Sequence, residues 1–213
     1  MTRAIRDPGT LARVILAEMQ GGHIWRGRSL VALAGPPAVG KSTLAAALVE
    51  ALNENGTRAQ LVPMDGFHLD NGVLAQRNLL LRKGAPETFD LQGLQIALSR
   101  LRSGEEVILP SFDRSLDRSI AGSIVVGTDI DVVVVEGNYL AFDADGWREL
   151  ISYWQFSVRL RATRQVLQNR LIQRWLDHGL DPDAAERRAF QNDIPNAMRI
   201  FEAELPTSLL LDV

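Results

Sequence analysis

The sequence contains no cysteine, which excludes a disulfide framework, thiolate metal sites and thiol chemistry. Lysine is almost as scarce: of 23 basic residues only Lys41 and Lys83 are lysines. Unbroken apolar runs stop after a handful of residues, far short of the ~20 needed to cross a bilayer. No apolar core accompanies Arg3, Arg6, Asp7 and Arg13, so a cytoplasmic protein without membrane insertion is expected. A formal net charge of −3 gives no footing for a nucleic-acid partner. What is present is ordinary for a globular protein: 46% apolar and 23% charged over 213 residues, enough to bury one proper core. The expectation is a single domain, residues 1–213, acting as a monomer or homodimer.

Against that background stands SLVALAGPPAVGKST, residues 29–43. It fits G-x-x-x-x-G-K-[ST], the phosphate-cradling P-loop. Gly35 and Gly40 allow the tight turn, so that the amides from Ala38 and Val39 through Gly40, Lys41, Ser42 and Thr43 converge on phosphate oxygens. The following helix adds the positive end of its dipole. Lys41 reaches for the β- and γ-phosphates, and the Ser42 hydroxyl suits a Mg²⁺ position. Leu44, Leu48 and Leu52 recur at helical spacing, as the motif's context requires.

Along the chain, Asp7-Pro8 opens an amphipathic helix with Leu11, Val14, Ile15 and Met19, and a connector with His23 and Trp25 completes residues 1–28. A second strand covers residues 59–64. Asp65 ends it, at the sheet edge where open α/β sheets bind ligands. His68 follows as a weaker site candidate. Asp70 caps a helix running through Leu81, with Val73, Leu74, Arg77, Leu80 and Leu81 on one side. The segment LRKGAPETFD makes a basic, turn-rich loop around Lys83, and Asp90 caps the next helix. Residues 105–127 read as a hairpin excursion, strands 107–109 and 124–126 flanking a charged loop that contains Asp113 and Arg114.

DVVVVEG, residues 131–137, is buried on both faces and predicts a central parallel strand. Glu136 at its end is the Walker B arrangement, a carboxylate that holds Mg²⁺ or its water shell. Thr163 opens a long helix with Leu167, Leu171 and Trp175 inward and Arg170 and Arg174 one turn apart. Those arginines, in a lid region over residues 163–190, suit a clamp on a transferring phosphoryl group. Alternating strands and helices predict one α/β domain with three layers, a parallel sheet with helices on both faces.

With GPPAVGKST, MDGF, RKGAPETFD, PSFDR and VVVVEGNYL in this order, the chain resembles the P-loop kinases that include uridine kinase, phosphoribulokinase and bacterial pantothenate kinase. Within that group it is most similar to bacterial proteins labelled fructose transport system kinases. The resemblance implies an ATP-dependent kinase that phosphorylates a hydroxyl of a small molecule, with ATP and Mg²⁺ as cofactors and Asp65 as the catalytic base. It also implies that Glu136 is the Walker B acid, that Phe112, Asp113 and Arg114 face the acceptor, and that Arg170 and Arg174 belong to a lid. The aromatic-plus-histidine pattern of uridine and pantothenate kinases is replaced here by Phe112-Asp113-Arg114, a departure from both acceptor chemistries. The competing class is a nucleotide-operated switch, but no N-K-x-D guanine motif occurs.

Overall fold

A computed structural model describes residues 7–21 and 27–213; His23 and Trp25 lie outside the described residues. The first half of the chain forms α1 (Pro8–Gly21), β1 (Ser29–Ala34), α2 (Lys41–Glu54), β2 (Ala59–Pro63), α3 (Asn71–Gln76) and α4 (Leu91–Ser103). The hairpin β3 (Val107–Asp113) and β4 (Arg118–Val126) leads to β5 (Val132–Gly137) and β6 (Phe156–Arg161). Then come α5 (Arg164–Asp177), α6 (Pro182–Arg188), α7 (Ile194–Glu202) and β7 (Leu209–Asp212). Side-chain caps start five of the helices: Asp7, Asp70, Asp90, Thr163 and Asp181 accept from the amides of Thr10, Gly72, Gly93, Val166 and Ala184.

The five-stranded sheet is parallel, in the order β2-β5-β1-β6-β7, with helices on both faces. Strand periodicity divides its core. Val31, Leu33, Val132 and Val134 pack with Leu11, Ile15, Leu48 and Leu171 on one face. Leu30, Ala32, Val133 and Val135 pack with Leu94, Leu98, Tyr139 and Trp147 on the other. The valine run is buried throughout, as its composition requires. It is an interior strand, but β1 holds the middle of the sheet. Register places Glu136 level with Leu33 and Pro63, so the carboxyl ends of β1, β5 and β2 share one edge.

Two expectations need correction. The helix after Asp70 stops at Gln76, because Asn78 takes a left-handed φ of 56° that a helix cannot continue through. Leu80 and Leu81 consequently turn outward, 43% and 84% exposed. The hairpin strands also run further than residues 107–109 and 124–126: Ser111, Phe112 and Asp113 pair with Ile120, Ser119 and Arg118, leaving only a short tip. At the opposite end of the sheet from the P-loop, buried Arg28 donates to the carbonyls of Leu101, Glu105, Gly127 and Ile130, tying the base of the hairpin to α4.

Candidate active site

Three backbone positions shape the P-loop: Gly35, Ala38 and Gly40 have φ of 149°, 61° and 103°. A Cβ on Gly35 would meet the Leu160 carbonyl at 2.6 Å, so only glycine lets the loop leave β1 there. The Lys41 ammonium, almost fully buried, donates to the Pro36 carbonyl at 2.9 Å and to Asn138 Oδ1 at 2.7 Å. The Ser42 hydroxyl donates to Glu136 Oε1 at 3.1 Å. Burial pushes the Lys41 ammonium pKa down and the Glu136 carboxyl pKa up, and the opposite charge of each resists the other's shift. These groups surround a cleft of about 250 Å³ that also touches Thr43, Asp65, Arg114 and Arg174.

Asp65 sits in a tight turn over Met64–Phe67, directly after β2. Two glycines hold that turn in place through close approach. A Cβ on Gly66 would meet the Pro110 carbonyl of β3 at 2.2 Å, and one on Gly137 would meet Met64 Cβ at 2.5 Å. Asp65 is thereby locked between the Glu136 strand and the hairpin. From the hairpin tip Arg114 reaches back to Asp65 Oδ2 at 3.4 Å.

A second, larger cavity of about 700 Å³ adjoins the cleft; Pro37, Asp65, Arg114, Asn138 and Arg174 line both. His68, Lys83 and Phe112 line this larger space. The His68 ring lies 4.0 Å from Phe89 and 4.8 Å from Phe112, and its Nδ1 is 2.8 Å from the Asp65 carbonyl oxygen. Burial pushes its pKa below the ordinary histidine value, so it is neutral at pH 7. Lys83 is already committed: its ammonium donates to Asn71 Oδ1 at 2.7 Å and to the Asp117 carbonyl, and pairs with the Asp117 carboxylate at 3.0 Å.

Two predicted residues stand apart from this grouping. Asp113 turns into the hairpin tip, where its Oδ1 accepts from the Ser115 amide and hydroxyl and the Leu116 amide. Arg170 lies on the outer side of the P-loop, donating to the Val39 carbonyl at 3.3 Å. There it borders a third cavity, about 470 Å³ and mostly apolar, formed with Pro8, Thr43, Leu44, Leu160 and Val213. One helical turn separates Arg170 from Arg174, yet they face different sides of the loop.

Sequence reasoning missed Asn138, Asn71, Asp117, Arg188 and Asp193, all of which line the large cavity. Asn138 had a signal in its position two residues beyond Glu136. The others come from segments with no motif, and Asp193 sits in a widened helical turn, Ala189–Asp193, between α6 and α7. Pro195, lacking an amide hydrogen, accounts for the widening, a distortion common at functional sites.

A parallel sheet whose first strand opens into a P-loop, with a carboxylate at the end of the adjoining strand, defines a P-loop nucleotide-binding protein. Residues 30–189 match the phosphoribulokinase/uridine kinase family, and the chain belongs to it. A crystal structure from Silicibacter sp. TM1040, described as a "putative fructose transport system kinase", is 50% identical. That structure superposes with a TM-score of 0.92, covering 95% of this chain and 98% of the other. YggC of Escherichia coli strain K12 is 35% identical over 87% of this chain and 78% of its own. A pantothenate kinase of Myxococcus xanthus is 32% identical over 83% of this chain and 59% of its own. The protein is a kinase, a phosphotransferase acting on a hydroxyl acceptor, and family membership implies ATP as donor.

Proposed function

We propose that this kinase moves the γ-phosphoryl group of ATP to a hydroxyl of a small, sugar-sized metabolite bound in the 700 Å³ cavity. The observation that carries the reading is the position of Asp65, where the phosphate cleft and the large cavity meet. Its carboxylate takes the proton from the acceptor hydroxyl, whose oxygen bonds to the γ-phosphorus as the bond to the β-phosphate bridging oxygen breaks and ADP leaves. Lys41 and Arg174 neutralise charge on the transferring group, and the loop amides hold the phosphates. The apolar cavity beside Arg170 receives the nucleotide base, with the guanidinium against its face. Residues 163–190 form the lid that brings Arg174 over the transfer.

The donor set fits Mg²⁺, since Ser42 Oγ and Glu136 would supply hard oxygen ligands to it. Bound there, it would supply charge neutralisation on the β- and γ-oxygens.

The description of the Silicibacter neighbour as a "putative fructose transport system kinase" makes fructose one candidate acceptor here; a nucleoside or a pantothenate-like compound is the alternative. The test is ADP formation across sugars, polyols, nucleosides and pantothenate-like compounds. The reading requires ADP formation that rises with a particular hydroxyl compound. Slow hydrolysis indifferent to every acceptor would instead favour a nucleotide-operated switch.

A further inference from the structure

Four cations and three carboxylates line the large cavity, and they are not equally available. Lys83 has its donors occupied by Asn71 and Asp117. Arg114 leans on Asp65, the proton acceptor of the proposed reaction. Arg174 also lines the phosphate cleft, which gives it the transferring group as a partner. Arg188 is different. It lines the large cavity and not the cleft. Its one hydrogen bond among the described residues is a long contact of 3.4 Å to the Leu81 carbonyl.

The Arg188 guanidinium lies 5.2 Å from the centre of the Trp175 ring. Arg174 shares that ring at 5.8 Å, and a guanidinium held against an indole face keeps N–H edges for a two-pronged partner. Asp193 is the nearest carboxylate candidate, but its Oδ2 accepts from Trp175 Nε1 at 2.6 Å and no ion pair joins it to Arg188 among the described residues. Burial pushes the Asp193 pKa up, against the opposing pull of the Trp175 hydrogen bond and of the Arg188 and Arg174 charges, which it shares at a distance. The large cavity thus presents on its α6 wall a guanidinium that no ion pair among the described residues neutralises.

We propose that the acceptor is a hydroxylated organic anion: its reacting hydroxyl lies at Asp65, and a carboxylate or phosphate elsewhere on the molecule is bound by Arg188 across the cavity. This deepens the kinase reading and rests on it. It makes Arg188 a specificity-determining residue, since a neutral sugar offers the fork no matching charge. It also gives the cavity's cations a purpose in the reaction, because an anionic acceptor approaching ATP needs its own charge compensated.

Three six-carbon probes test this: D-fructose, D-gluconate, and D-fructose 6-phosphate. Their binding to the full chain is measured by calorimetry beside a non-hydrolysable ATP analogue, and their turnover by ADP formation. At least one of the two anions should bind more tightly than fructose by on the order of tenfold or more, the size expected of a charge-assisted hydrogen bond. A gain for gluconate alone identifies a carboxylate site, and a gain for the phosphate alone a phosphoryl site. Arg188→Gln should erase the gain while affinity for the ATP analogue stays within about twofold, as uncoupled sites require. Fructose binding as well as both anions, absence of binding by either anion, or an anion preference that survives Arg188→Gln would overturn the proposal. None of those results would touch the kinase reading, which fails only if no hydroxyl compound raises ADP formation.

Discussion

The two lysines of the chain mark the two sides of the site, and their surroundings differ. Lys41 is held by groups on one sheet edge: the carbonyl of Pro36 in its own loop and Asn138, just beyond the neighbouring strand. Lys83 is held by Asn71 and by Asp117, segments that meet only because the hairpin folds over the α3 region. The phosphate side is therefore built on rigid sheet geometry, from the ends of neighbouring parallel strands. The side proposed for the acceptor is assembled from segments around residues 65–71, 80–84, 112–117 and 174–196, most of them loops, turns and helix ends. A phosphate group is the same in every nucleotide, whereas acceptors differ, and loops are where such differences are built.

That contrast can be broken by substitution. Lys41→Met should have the largest effect, lowering kcat by about 10²–10³-fold, the usual loss when one charge-stabilising donor is removed. Circular dichroism should show the fold retained. Gly66→Ala comes next, because its Cβ would strike the Pro110 carbonyl and drive the hairpin away from Asp65. It should lower kcat and raise the acceptor KM together, with nucleotide affinity retained in a direct titration. Lys83→Met should act on the acceptor side only, raising the acceptor KM by roughly tenfold as the charge-assisted hydrogen bonds that tie Asn71 to Asp117 and shape the cavity wall are lost. A parallel rise in the ATP KM would break the proposed separation of the two sides. Arg170→Ala should do the reverse, raising the ATP KM several-fold through loss of a cation–π contact worth about 1–2 kcal/mol.

The smallest effect concerns pH. His68 has its pKa held below the ordinary value of 6.5 chiefly by burial between Phe89 and Phe112. The unfolded chain therefore binds the proton first, so the stability tied to neutral His68 is whole above pH ~6.5 and drains away as pH falls toward the folded-state value. His68→Phe keeps the ring contacts and removes the titration. Its Tm should decline less steeply than wild type between about pH 7 and pH 5.

The same contrast explains what could be read from the chain beforehand. The P-loop, the Glu136 strand and the parallel sheet were legible because short-range spacing and a run of valines determine them. Asp65 was legible because it ends a strand next to the P-loop unit. Spacing of four pairs Arg170 and Arg174 on one helix, but Arg170 borders the apolar cavity while Arg174 lines the phosphate cleft. Only the packing of α5 against Val39 separates them. Asp113 carried the right chemistry and turned into its own hairpin tip. Arg188 and Asp193 had no signal at all, because their meeting with Trp175 depends on a widened turn between two helices.

The central claim is that Asp65 joins the two sides as the general base. Asp65→Asn preserves the size and the approach of Arg114 while removing the proton acceptor. With an acceptor in hand, kcat should fall by about 10²–10⁴-fold, the usual contribution of general-base catalysis, while ATP affinity stays at the wild-type value. Turnover within a few-fold of wild type would contradict the account.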